Sequence, residues 1–159
     1  MAGLLEQLSF AGTFGDFDFL QPSCRVREFS SSYQARGDDR PRMQAHGDNE
    51  RVPYYPGLPL HQEGLLLGAT PEEFVAVRDE LATALLGRLD VAGAPATSNG
   101  RLTIRYAGWT ESASADVLVV SYEPPLTVSD GLKTGPYMIA WKAYTPYFLG
   151  DDSELPYYL

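Results

Sequence analysis

Tyr137-Met138-Ile139-Ala140-Trp141-Lys142 decides the fold class. Tyr137, Ile139 and Trp141 alternate with Met138, Ala140 and Lys142, the period of a strand with one face against a core. Pro146 closes the segment. The same period runs through Leu102, Ile104 and Tyr106, which alternate with Thr103 and Arg105. Ser98-Asn99-Gly100 before them reads as a hairpin-type turn. Val117-Leu118-Val119-Val120 is a β-rich apolar run, the pattern of a strand covered on both faces. It stops at Pro124-Pro125, which cannot continue a central strand. Gly64 to Leu67 reads as a short strand, and Phe17 to Leu20 and Cys24 to Phe29 as strands near the N-terminus. Ten Tyr, seven Phe, two Trp, 15 Gly and 12 Pro favour β structure with many turns.

One helix interrupts the strands. Thr70-Pro71-Glu72-Glu73 reads as an N-cap, a proline at the first helical position and the Glu of a capping box. Thr70 is placed to accept from the Glu73 N–H, and Glu73 to reach back to the Thr70 N–H. Both acids suit the positive end of the helix dipole. Phe74, Val77, Leu81 and Leu85 then form one apolar stripe, with Ala84 beside it. Gly87 suits a left-handed cap, and Arg88 the negative end. The expected helix spans about 71–86. The expected fold is mainly β: a sandwich or split barrel with this single helix packed against it.

The 159 residues suit one domain, 1–159, and 44% apolar residues suffice for a core without disulfides. Twelve basic residues face 21 acids, for a net charge of −9. Such a surface repels phosphate and argues against sequence-specific nucleic-acid binding. The single cysteine excludes an internal disulfide framework. No apolar run is long enough for a spanning helix, so membrane insertion is not expected, and the first residues lack the pattern of a secretory signal.

Charge is uneven. Residues 1–24 carry three acids and no base; residues 25–51 carry six Arg and five acids; residues 52–159 carry 13 acids and six bases. Residues 30–52 are polar and without period, an irregular arm. Its Arg36, Arg40, Arg42 and Arg51 are interleaved with Asp38, Asp39, Asp48 and Glu50. Mixed charge fits salt bridges to a protein neighbour, or solvation, better than a nucleic-acid arm. Arg36-Gly37-Asp38 reads as a polar turn. The tail, residues 151–159, is acidic and then aromatic. It can dock on a neighbour or fold back on its own core.

No catalytic constellation is legible. His46 and His61 fall in loop-like segments and read as solvated loop histidines. A metal site would need them to converge with a carboxylate such as Asp48 or Glu50. Cys24 reads as a packed strand cysteine rather than a nucleophile. Asp16 and Asp18 share a strand face, which does not make a pair across a cleft. There is no phosphate loop, no G-x-S-x-G and no H-E-x-x-H. No catalytic, metal-ligating or cofactor-binding residue is assigned, and no cofactor is expected. Trp109, Tyr106 and Tyr122 are the residues a carbohydrate-stacking platform would use.

The order of features carries a resemblance. Arg42 and Gly47 lie in an Arg-x-x-x-His-Gly loop. Gly64-Leu-Leu-Leu-Gly68 precedes Ala69-Thr70-Pro71-Glu72-Glu73, a helix with Arg78-Asp79, Leu81 and Leu85-Leu86, and further strands. The last runs Tyr137-Met-Ile-Ala-Trp-Lys-Ala143-Tyr-Thr-Pro146-Tyr147. Over roughly residues 36–150 this resembles the distal tail proteins of long, non-contractile-tailed phages, especially those infecting actinobacteria. That family's closing segment is Ala-Pro-Asp-Pro-like; here the first Pro and the Asp are missing.

The resemblance implies a tail-tube-like β domain in a virion, assembled in the host cytoplasm. Six copies would form a ring joining the tail tube protein to the tail-tip hub protein. The tape-measure protein, and then DNA, would pass through its lumen. Six copies at −9 each would carry about −54 before salt screening, which suits a DNA conduit. The candidate subunit-interface residues are Arg36, Arg40, Arg42, Arg51, Tyr54, Tyr55, Tyr157, Tyr158 and Leu159. The alternatives are another tail-tube or minor tail subunit, or a β-sandwich module binding a carbohydrate or cell surface.

Overall fold

Ten consecutive register pairs join Leu58–Leu67 to Thr134–Ala143, the longest pairing among the described residues. The computed structural model describes residues 4–12, 14–32, 57–86, 99–125 and 133–159. Within them the strands are β1 (Leu5–Gly12), β2 (Asp16–Asp18), β3 (Cys24–Ser31), β4 (Leu58–Leu67), β5 (Asn99–Tyr106), β6 (Ala113–Glu123), β7 (Thr134–Ala143), β8 (Phe148–Gly150) and β9 (Pro156–Tyr157). One helix, α1 (Pro71–Leu86), lies between β4 and β5. All nine strands belong to one antiparallel sheet in the order β2-β1-β5-β6-β7-β4-β3, with β8 on β6 and β9 on β8. The sheet does not close on itself. The protein is mainly β with one helix among the described residues, as its alternation predicts.

The helix matches its expected bounds because its signals are local. The Glu73 N–H donates to Thr70 Oγ1 at 3.2 Å. The return bond differs from expectation: Glu73 Oε2 accepts from the Ala69 N–H at 3.0 Å, one residue before the cap. Phe74, Leu81, Ala84 and Leu85 are buried, and Val77 packs beside them. The helix lies against β1, β2, β4 and β6. Removing these side chains from water drives that packing, at about 1.5–3 kcal/mol for each fully buried large apolar residue.

The covered face of the sheet is aromatic at its centre. Trp141 meets Phe10 at 5.0 Å between ring centroids and Phe19 edge-on at 6.0 Å. A buried polar chain threads this core. The Trp141 indole N–H donates to Gln62 Oε1 at 3.1 Å, and Gln62 Nε2 donates to the Tyr137 hydroxyl at 3.0 Å. The Cys24 thiol donates to the same hydroxyl at 3.5 Å. Each polar group lost from water gains a partner, which is the condition for burying it cheaply.

Several boundaries differ from the sequence reading, each for a physical reason. The strand expected at 64–67 begins at Leu58, because inward-facing Gln62 and Gly64 break the apolar alternation. Gly64 is required there: a Cβ would lie 2.0 Å from the Arg25 carbonyl oxygen and 2.7 Å from the Tyr137 ring. Asn99 and Gly100 lie in β5 rather than in a turn. A Cβ on Gly100 would meet the Ala11 carbonyl oxygen at 2.4 Å. The run 117–120 is not covered on both faces, since Val120 is 60% exposed beside a register shift between Val119 and Ser121. β2 stops at Asp18, whose carboxylate accepts from the Leu20 N–H and turns the chain. Ser30 and Ser31, expected to open the arm, belong to β3. Residues 33–52 of the arm, with Arg36, Arg40, Arg42, His46 and Arg51, lie outside the described residues, as do Tyr54, Tyr55, Gly87 and Arg88.

Candidate functional site

The C-terminal segment is held by one carboxylate. β6 begins two residues after Glu111, and β8 pairs with its first residues. This brings the turn 151–154 under the Glu111 side chain. Glu111 Oε2 accepts from the Asp152 N–H at 2.7 Å and the Ser153 N–H at 2.9 Å. Glu111 Oε1 accepts from the Ser153 hydroxyl and, at 3.0 Å, from the Tyr157 hydroxyl. The Ser153 hydroxyl, with these backbone and phenol donors behind it, favours the charged form and holds the carboxyl at about 2, below its ordinary 4.5. The turn itself places Glu154 at a φ of 56°, a left-handed conformation that a non-glycine residue adopts only when its surroundings impose it.

With the turn fixed, the last residues divide between inside and outside. Tyr157 packs on Trp109 with ring centroids 4.6 Å apart and planes tilted by 43°, and Trp109 meets Tyr106 edge-on at 5.2 Å. Leu159 packs on the core, and its carbonyl accepts from the Ser31 hydroxyl at 3.2 Å. Of the two sequence alternatives for the tail, Tyr157 and Leu159 therefore fold back on their own domain. Tyr158 points outward at 65% exposure, its ring 6.1 Å from that of Tyr147. Leu155 is 62% exposed, and Leu149 on β8 and Tyr144 before it are exposed as well. Leu149, Leu155 and Tyr158 thus flank the turn that Glu111 holds.

The possible stacking platform is not assembled. Trp109 and Tyr106 are half-buried and face each other and Tyr157 rather than open solvent. Tyr122 lies elsewhere, at the β6–β7 pairing, with its hydroxyl buried and without a hydrogen-bond partner among the described residues. Burial pushes its phenol up to about 12.

Cys24 is buried, and burial pushes its thiol to about 11, against any nucleophilic role at neutral pH. Asp16 and Asp18 are exposed on one face of β2, as expected. His61 corrects the sequence reading. It lies on β4 rather than in a loop, with its Nε2 2.9 Å from Glu63 Oε1. Glu28, from the neighbouring strand, brings a second carboxylate to the same place. One donor atom from each of Glu28, His61 and Glu63 lies within 4.8 Å of the others. Sequence reasoning paired the histidines with Asp48 and Glu50 instead; the signal it lacked is the β3–β4 register, which a 26-residue separation hides.

Comparison with models of known protein families gives no match, and comparison with curated proteins gives none either.

Proposed function

We propose that this chain is a structural subunit of a long, non-contractile phage tail: a distal tail protein whose copies close into a ring between tail tube and tail tip. The reading rests on the order of sequence features over residues 36–150. Its support from the fold is the outward apolar set Tyr144, Leu149, Leu155 and Tyr158 on an anchored end. Apolar surface is costly to leave in water, and where it gathers it marks protein contacts. Tyr158 is of the residue types on which interface energy concentrates, and Leu155 adds exposed apolar surface.

The mechanism is assembly, not a chemical step. A closed ring needs a heterologous contact, in which one patch meets a different patch on the next copy. The anchored end supplies one such patch. The open sheet offers edges at β2 and β3 for the other side. The lumen would carry the tape-measure protein and then DNA. A strongly acidic subunit keeps DNA from sticking there.

Light scattering on the full chain tests this. The expected mass is about six times the 17.5 kDa subunit. Replacing Leu155 and Tyr158 together by Asp should return it to the monomer while the fold is retained. A wild-type protein that stays monomeric at high concentration contradicts the proposal.

A further inference from the structure

We infer that Glu28, His61 and Glu63 form a binding site for a divalent transition cation of the zinc class, on the solvent side of the β3–β4 pair. The inference stands apart from the proposed tail function. It rests on how the backbone delivers three ligand-type side chains to one point.

β4 turns Leu58, Leu60, Gln62 and Leu66 inward, so His61 and Glu63 project from the opposite face, two residues apart. β3 would not present Glu28 there without its irregularity. Val26 pairs with Gly64, and the next pair is Glu28 with Glu63, so Arg27 is the extra residue of a bulge. Bulges of this kind re-aim a side chain. The consequence is that two carboxylates stand directly opposite across adjacent strands. Like charges in that position are unfavourable without a cation between them. His61 pairs with Ser30, on the same side of the ladder, and the Ser30 hydroxyl donates to Glu28 Oε1 at 3.4 Å. Glu28 is exposed and His61 and Glu63 are half-buried, which leaves the site open to solvent.

The donor set selects the metal class. Imidazole nitrogen and carboxylate oxygen are both zinc donors, with bonds of about 2.0–2.2 Å, and the imidazole favours a transition cation over magnesium or calcium. Those bonds require donor separations of roughly 3–4 Å. The present separations are within 4.8 Å, and His61 Nε2 is already 2.9 Å from Glu63 Oε1. All three side chains are partly or fully exposed, so rotamer changes can close the remaining gap. Three protein ligands leave at least one coordination position for water. Bound there, the cation would also clamp the outermost strand β3 to β4.

Calorimetric titration of the full chain with Zn²⁺ near neutral pH is the test, with Mg²⁺ in parallel. The expected result is one zinc site. His61→Ala and Glu28→Gln should each weaken it by about 10–100-fold, at least the loss seen when a partner one step removed from a metal is deleted. His46→Ala should leave it unchanged. Far-UV circular dichroism checks that the variants keep the fold, which substitution of exposed residues should not disturb. Four results overturn the inference: no zinc uptake by the wild type, undiminished wild-type affinity in both site variants, loss on His46→Ala alone, or magnesium bound as tightly as zinc.

Discussion

The β4–β7 pair and the β8–β9 end are held by different physics. β4 and β7 share ten register pairs, and their covered faces bury Leu58, Leu60, Leu66, Ile139 and Trp141. β8 and β9 share two register pairs, and their position depends on Glu111, which gathers donors from Asp152, Ser153 and Tyr157. Area stabilises the first; directed hydrogen bonds to one charge fix the second. A region held by area resists pH but not loss of volume. A region pinned by a carboxylate tolerates loss of volume but answers to protons.

The largest expected effect lies in the first region. Trp141→Ala removes the ring that meets Phe10 and Phe19 and orphans Gln62 Oε1. It should cost about 3–5 kcal/mol, enough to unfold a marginal domain, as read by chemical denaturation. Next comes Gly64→Ala. The added methyl group would strike the Arg25 carbonyl and the Tyr137 ring, and should cost about 1–3 kcal/mol by the same measurement. A cost near zero for either would mean that area does not hold this pair.

Glu111→Gln should act on the second region alone. Amide exchange at 150–157 should quicken while the β4–β7 amides stay protected. The pH dependence has a defined sign. The carboxyl sits at about 2 in the folded protein, against 4.5 ordinarily. Its contribution is therefore complete above the ordinary value and is lost as pH falls from 4.5 toward 2. An acid titration followed by Trp109 fluorescence should show that loss in the wild type, because Tyr157 leaves the indole, and not in Glu111→Gln. The smallest effect belongs to Tyr158→Ser, within about 0.5 kcal/mol on monomer stability, since the side chain faces out. Its consequence should appear in the assembly state instead.

Legibility in the sequence followed the range of the interactions. The helix could be read because its cap, its proline and its stripe lie within 16 residues. β7 could be read because its alternation is unbroken. β1 carries no such signal. Leu5 and Leu8 are three apart, since the pairing with β5 shifts register between Leu5 and Gln7. β4 was shortened by Gln62, whose burial makes sense only beside Tyr137 and Trp141, more than 70 residues away. Of the candidate interface residues within the described segments, Tyr158 is exposed, while Tyr157 and Leu159 pack within their own domain. Glu111 escaped notice because its partners lie 41 to 46 residues downstream. The same separation in space but not in sequence conceals the convergence of Glu28 with His61 and Glu63.

The central claim is that copies of this chain close around a channel. Class averages of the purified full chain by electron microscopy test it most directly. The account predicts a closed ring of about six subunits with an open centre. Open filaments, or compact particles without a lumen, would contradict it.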